Sequence, residues 1–180
     1  MLLSPLFVII GIWVVFDDGW PIFYVQKRVG RYNVDFNLLK FRSMYKRPSE
    51  GMQLTVGNDP RITRSGRFIR KYKIDELPQL INVLFGQMSL VGPRPEVRKY
   101  VNLYSLEQLQ VLQIRPGITD FASLKYRNEN DILATSNNPE ETYIQEVMPD
   151  KLELNLEYIR NNSPLKDIQL ILQTLKVIIK

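Results

Sequence analysis

The sequence predicts an α+β fold that is mainly helical with one small β-hairpin, joined to a membrane-associated N-terminal segment. Three observations carry this. Two β-rich arms, FYVQKRV and VDFNLLKF, flank Gly30-Arg31-Tyr32-Asn33 between Phe23 and Phe41. Apolar residues recur at helical spacing along much of the chain after residue 62. Residues 1–16, MLLSPLFVIIGIWVVF, are apolar and carry no charged side chain.

A chain of 180 residues, 44% hydrophobic and 24% charged, suits one globular unit. It divides into an apolar N-terminal helix at 1–20 and a second region at 21–180. There is no Cys and no His. That removes thiolate metal sites, disulfides and the commonest general base. Chemistry must then rest on Asp, Glu, Lys, Arg, Tyr, Ser or Thr, and carboxylates alone favour a hard cation such as Mg²⁺ over zinc. The net charge is +5. Much of the excess lies between Gln26 and Lys73, including Lys40, Arg42, Arg61, Arg64, Arg67, Arg70 and Lys71, against only Asp35, Glu50 and Asp59. Such a block asks for an anionic partner or stands as a solvated basic face.

The apolar N-terminus is too short to span a bilayer, which takes about 20 residues. Ser4-Pro5 kinks any helix that crosses it. Asp17, Asp18 and Gly19 end the run, and Trp20 and Tyr24 suit a membrane–water boundary. Three readings stand: a buried core helix, a spanning helix truncated at its start, or a bent segment that enters and leaves one leaflet. The last needs more apolar residues before Ser4 than the three present, so the start looks truncated.

Further along, Arg47–Asp59, rich in Pro and Gly, reads as a loop. Ile62–Lys73 reads as a short basic helix with Phe68, Ile69 and Tyr72 inward. Asp75–Phe85 reads as a helix capped by Asp75, with Pro78 in its first turn, Leu77, Leu80, Ile81 and Leu84 as its apolar stripe, and Gly86 closing it. Gly92-Pro93-Arg94-Pro95 is a stiff turn. Ser105 to Gln108 has the capping-box pattern and opens another helix, which Arg115-Pro116-Gly117 breaks. Asn128–Pro139 reads as a loop, and Pro139–Asn162 as a helix interrupted near Pro149. Ser163-Pro164 opens a last helix. Its apolar side, Leu165, Ile168, Ile171, Leu172, Leu175 and Ile179, is expected to pack on the core, with Lys166, Lys176 and Lys180 within reach of lipid headgroups.

The chemical signal centres on Asp75-Glu76, two adjacent carboxylates after the cationic run Arg70-Lys71-Tyr72-Lys73. The cations are expected to lower both carboxyl pKa values and keep the pair ionised. An ionised Asp can attack phosphorus when cations mask the phosphate charge. The plain alternative is that Asp75 caps a helix and Glu76 favours its dipole. Arg94, between two prolines, loses little freedom on binding a phosphate with both arms. Arg115, before Pro116-Gly117, repeats the pattern. Either can instead tie down a loop.

These residues carry a resemblance. QKRVG at 26–30, KFRSM at 40–44, NDPRITRSGRFIR at 58–70, DELPQLINVL at 75–84, MSLVGPRPE at 88–96 and RPGIT at 115–119 run in the order found in one family. The chain resembles the bacterial sugar transferases of the monotopic polyprenol-phosphate phosphoglycosyltransferase superfamily. The resemblance implies a ping-pong reaction at the cytoplasmic face of the bacterial cytoplasmic membrane. Asp75 attacks the β-phosphate of a UDP-sugar, UMP leaves, and undecaprenyl phosphate takes the phosphosugar from Asp75. It implies that Glu76 completes the dyad, assisting through Mg²⁺ or proton transfer, that Mg²⁺ is held at Asp75 and Glu76 by one carboxylate or the other, and that Arg70, Arg94 and Arg115 hold substrate phosphates. Ser4-Pro5 matches the break of a re-entrant membrane helix. The chain departs from the family at Asp120–Arg127, where many members have Gly-Trp-Ala-Gln-Val-Asn-Gly-Arg, and at Asn155, where many have Asp.

A non-catalytic peripheral membrane protein, binding anionic lipid through the basic block, is the competing class. Nucleic acid is a poor partner: few aromatics interleave with the cations, and no reading helix or RNA platform is present.

Overall fold

A computed structural model describes residues 4–46, 54–57 and 59–179. Residues 1–3, 47–53 and 58, and Lys180, lie outside them. So do most of the loop expected at Arg47–Asp59 and the apolar residues before Ser4.

The first helix, α1, spans Ser4–Asp18. Pro5 is its second described residue, and the break expected at Ser4-Pro5 involves residues 1–3, which lie outside the described ones. Ile10, Gly11 and Val14 form its buried face, while Val8, Ile9, Ile12 and Phe16 remain exposed. Fifteen residues reach about 22 Å, short of the ~30 Å apolar layer of a bilayer. No helix among the described residues is long and apolar enough to cross a membrane.

The hairpin forms where expected. Strand β1 (Phe23–Val29) runs antiparallel to β2 (Asp35–Phe41), with Phe23 opposite Phe41 and Val29 opposite Asp35. A single 3-10 turn, Arg31–Asn33, joins them, closed by Gly30 N–H donating to Val34 O at 2.8 Å. Leu38 and Phe41 of β2 are buried.

The basic segment gives α2 (Arg64–Lys71), capped by the Thr63 hydroxyl, which accepts from Gly66 N–H at 2.9 Å. Ile69 is fully buried against Ile10, Val14 and Phe41. Phe68, expected inward, is exposed, its ring 5.3 Å from that of Trp13 and 4.9 Å from that of Tyr72. Eight residues expose more than one face, and the aromatic cluster forms on α2's outer flank against α1.

The helix expected over Asp75–Phe85 is divided. Lys73 adopts a left-handed conformation (φ 53°), Ile74–Glu76 form one 3-10 turn, and α3 covers only Gln79–Leu84. Asp75 therefore lies inside the 3-10 turn and is not a cap. Of the expected apolar stripe, Leu77, Leu80 and Ile81 are half-buried and Leu84 faces solvent. Gln79 and Asn82 are 1% and 2% exposed, whereas Leu84 is 86% and Phe85 78% exposed. The reason is local. Asn82 accepts from Leu39 N–H at 3.1 Å and donates to Asn37 O at 2.8 Å and to Gln87 Oε1 at 2.7 Å. Its amide thus satisfies the backbone of β2, so the polar face turns inward. Gly86, at φ 72°, closes α3 as expected.

Strands β3 (Ser89–Val91) and β4 (Gly117–Thr119) pair in parallel, Ser89 with Gly117 and Val91 with Thr119. Three-residue strands so far apart in the chain leave no periodicity to read. Between them lie α4 (Arg98–Val101) and a 3-10 segment, Gln108–Gln113. The capping box is realised in both directions, Ser105 N–H to Gln108 Oε1 at 2.9 Å and Gln108 N–H to Ser105 Oγ at 3.2 Å, although the turn it opens is 3-10.

After β4 come α5 (Phe121–Lys125), α6 (Glu129–Ala134), α7 (Pro139–Thr142), α8 (Met148–Arg160) and α9 (Pro164–Ile179). Helix α6 corrects the loop expected at Asn128–Pro139: Leu133 is fully buried in the main core with Tyr100, Tyr143, Val147 and Leu152. The interruption near Pro149 is a π-turn, Tyr143–Val147, feeding α8. In α9 only Leu170 is fully buried. Leu165, Ile168, Leu172 and Leu175, expected on the core, are exposed. Leu170 packs with Val91 and Tyr158, and Ile171 of the expected side lies partly buried against them.

Candidate active site

Four local structures converge on Asp75-Glu76: the 3-10 turn that carries the pair, the strand β2, the Pro93-Arg94-Pro95 turn and the end of α2. Asp75 and Glu76 are 5% and 8% exposed. The left-handed Lys73 turns the chain out of α2, so the two neighbouring carboxylates face a common ring of cations.

Their environments differ. Glu76 is gripped by Arg94, Nη1 to Oε2 at 3.0 Å and Nη2 to Oε1 at 2.5 Å, and Lys40 Nζ lies 3.6 Å from Oε1. Asp75 has one buried oxygen, Oδ1, without a partner among the described residues. Desolvation pushes both carboxyls upward. For Glu76 the charges of Arg94 and Lys40 outweigh it and hold the group well below the usual carboxylate range. For Asp75 desolvation, reinforced by the charge of Glu76, prevails over Lys40, Arg70 and Lys73, and its pKa is raised. The cations were expected to lower both. Burial, invisible in sequence, divides the pair into a locked anion and a group that takes up a proton more readily.

Lys40 was legible as part of the basic block and of the KFRSM stretch, without a site role. Burial drags its ammonium down to about 8, against the pull of Glu76. The period of two in β2 puts Lys40 on the face opposite Phe41, but no sequence signal tells which face meets the acids. Arg94 is positioned from both sides. Its N–H donates to Asp120 Oδ2 at 2.8 Å, and Asp120 also caps α5. The next residues are held by Arg28, which donates to Pro95 O at 3.0 Å and to Glu96 Oε1 at 2.9 Å. Tyr143 donates its hydroxyl to Glu96 Oε2 at 2.5 Å. Asp120, Arg28, Glu96 and Tyr143 carry no role legible in sequence, because their partners are 26 to 68 residues away.

Of the other expected site residues, Arg70 stands near the dyad. Its charge acts on Asp75, and Nη2 donates to Thr55 Oγ1 at 3.3 Å. Arg115 is not gathered with them. It is exposed, its guanidinium lies beside Gly86 at the far end of α3, and it lines a separate cleft with Arg31, Ser89 and Tyr158. Asn155 is buried, Oδ1 unpaired, against a cavity of about 40 Å³ behind Pro93–Glu96.

For Mg²⁺, the donor set narrows to one residue. Glu76 is committed to Arg94 and Lys40, and no group of three potential ligands exists among the described residues. Mg²⁺ is commonly held by one or two carboxylates together with substrate phosphates and water, and the unpaired Asp75 oxygen fits that mode.

A carboxylate oxygen left free beside cations that are already fixed in place is suited to chemistry at phosphorus, where masking charge is the main task. The model of the family described as "Bacterial sugar transferase" matches residues 1–180, and the chain belongs to that family. The UDP-N-acetylgalactosamine-undecaprenyl-phosphate N-acetylgalactosaminephosphotransferase of Aeromonas hydrophila is 36% identical over 182 residues, covering 99% of this chain and 40% of the relative. The undecaprenyl-phosphate glucose phosphotransferase of Komagataeibacter xylinus is 36% identical over 97% of this chain and 32% of its own length. The exopolysaccharide production protein ExoY of Sinorhizobium fredii is 32% identical over 98% of this chain and 78% of its own. The chain thus spans less than half the length of the first two.

Proposed function

We propose that this chain transfers a sugar 1-phosphate from a UDP-sugar to undecaprenyl phosphate, in two steps through Asp75, as an initiating step of bacterial polysaccharide or glycoconjugate synthesis. The observation that carries the reading is the division of labour in the dyad: Glu76 is held by Arg94 and Lys40, and Asp75 keeps a free oxygen. An Asp75 oxygen attacks the β-phosphorus of the UDP-sugar. The bond from that phosphorus to the bridging oxygen breaks, and UMP leaves with the electron pair. Asp75 then carries the sugar phosphate as an acyl phosphate. A phosphate oxygen of undecaprenyl phosphate attacks the same phosphorus, the bond to Asp75 breaks, and the carboxylate is regenerated.

Lys40, Arg70 and Arg94 are fixed around the pair, so their charge is in place before phosphate arrives. Asp75 would hold Mg²⁺ together with substrate oxygens, and the ion would supply neutralising charge on the diphosphate. Arg94 both sets Glu76 and presents its guanidinium beside the attacking group. The exposed apolar side of α1, with Trp20 and Tyr24 beyond it, supports seating at the cytoplasmic face of the bacterial cytoplasmic membrane, where a polyprenyl phosphate resides.

The test is UMP release across a panel of UDP-sugars, with and without undecaprenyl phosphate, with Mg²⁺ present. Wild type is expected to release UMP and, without acceptor, to gain the mass of one phosphosugar. UMP release surviving in Asp75→Ala would overturn the assignment of the nucleophile.

A further inference from the structure

Helix α1 is fastened to the catalytic body by two charged links at its C-terminal end. Asp17 Oδ2 accepts from the backbone N–H of Ser65 at 2.7 Å and from its hydroxyl at 2.8 Å. Ser65 is the second residue of α2, so this carboxylate sits at the positive end of that helix. Arg42, the residue after β2, donates Nη2 to Asp18 O at 2.9 Å and to Gly19 O, carbonyls at the end of α1. Arg42 is buried, and its Nε and Nη1 have no partner among the described residues. Burying a guanidinium with unpaired donors costs stability, so what it holds is the reason to look for a role.

On the N-terminal side of the links, Ile10 and Val14 of α1 pack with Phe41, Ile69 and Ile74. Ile74 immediately precedes Asp75, and Phe41 immediately follows Lys40. The apolar helix therefore bears on residues adjacent to both the candidate nucleophile and the buried ammonium beside Glu76.

We infer that Asp17 and Arg42 are positioning residues that clamp α1 to α2 and to the end of β2, so that the seating of α1 in lipid sets where Asp75 meets the acceptor phosphate. This rests on the membrane-bound transfer reaction proposed above. The clamp matters for the second step, in which the acceptor's place is fixed by the membrane. It matters little for the first, in which a soluble nucleotide-sugar diffuses to Asp75.

The experiment compares wild type, Asp17→Ala, Arg42→Met and the conservative Asp17→Asn and Arg42→Lys in lipid vesicles. In the alanine and methionine variants, UMP release without acceptor is expected to stay within about twofold of wild type. Transfer to undecaprenyl phosphate in the vesicle is expected to fall roughly 10- to 100-fold, the range for an ångström-scale misplacement. Transfer to a short, water-soluble polyprenyl phosphate stays near wild type, and the conservative variants recover most of the loss. An equal fall in UMP release and with both acceptors overturns the inference in favour of general damage, and so does no fall at all.

A second measurement is independent of turnover. The sequence has no Cys, so spin labels at Val8→Cys and Leu103→Cys, both exposed positions, report the separation of α1 from the body. One narrow distance in wild type and a broadened one in Asp17→Ala/Arg42→Met support the clamp; narrow distances in both overturn it. If wild type releases UMP from no UDP-sugar, the transfer reading fails while the spin labels still decide whether the clamp exists.

Discussion

Arg94 grips Glu76 with both arms of its guanidinium, at 3.0 and 2.5 Å, while the adjoining Asp75 keeps a buried oxygen unbonded among the described residues. Two acids that share a peptide bond are thereby given opposite electrostatic settings. The first predictions test that division directly.

Asp75→Asn should abolish UMP release and raise the melting temperature. The folded state raises the Asp75 pKa, so it favours the protonated form. Wild type therefore loses stability relative to the variant as pH rises from the ordinary value of 3.8 through the raised folded value. In acid below both values the two proteins should converge. Thermal melts of both across pH check the sign; a variant less stable than wild type at neutral pH contradicts it.

Glu76→Gln should act in the opposite direction. Its depressed pKa means that its stabilisation is complete above 4.5 and is lost as pH falls through the lower folded value. Breaking one side of a buried ion pair costs about 3 kcal/mol. Urea unfolding at neutral pH is expected to show a loss of that order, since Arg94 and Lys40 both forfeit their partner.

Arg94→Lys preserves charge and removes the fork. A point charge cannot meet both Glu76 oxygens in parallel, nor bind a phosphate with two arms. UMP release is expected to drop at least about tenfold, since groups at such sites contribute that much or more. A wild-type rate would show that charge alone suffices.

Helix α3 offers a control with reversed polarity. Asn82→Leu removes the amide that serves Leu39 N–H, Asn37 O and Gln87. Unpaired buried groups cost about 1–3 kcal/mol each, so a clear fall in unfolding free energy is expected despite the more apolar side chain. Leu84→Ser, at an exposed position, should change stability by no more than about 0.5 kcal/mol. Binding to vesicles, measured beside the melts, shows whether exposed Leu84 and Phe85 serve lipid instead.

Gly66→Ala tests close approach. A Cβ there would lie 2.1 Å from Ser43 O, a backbone atom that also accepts from Thr63 N–H at 3.1 Å. Overpacking of this kind costs about 1–3 kcal/mol or more, and the melting temperature should fall accordingly.

The features readable in advance were local. The hairpin arms and their turn, the short basic helix read over Ile62–Lys73, the reciprocal Ser105–Gln108 bonds, the break near Pro149 and Gly86 as a helix stop depend on neighbours within a few residues. The acid pair and Arg94 were legible because their residue types and stiff context are themselves chemical statements. The apolar stripes expected over 75–85 and on α9 held only in part, with Leu77, Leu80, Ile81 and Ile171 half-buried and Leu84, Leu165, Ile168, Leu172 and Leu175 exposed, because helical spacing identifies a face without saying what that face meets.

Residue types and their order alone set the available chemistry: no Cys or His, an Asp-Glu pair after a cationic run, and an arginine held between prolines. It took the folded chain to make Arg94 and Lys40 hold Glu76, to leave Asp75 desolvated and free, to stand Arg115 apart, and to turn Asn82 inward. The physical reason is that pKa, ion pairing and burial depend on distances between residues far apart in the chain, and those distances exist only once α1, α2, β2 and the Pro93–Pro95 turn have closed on one another.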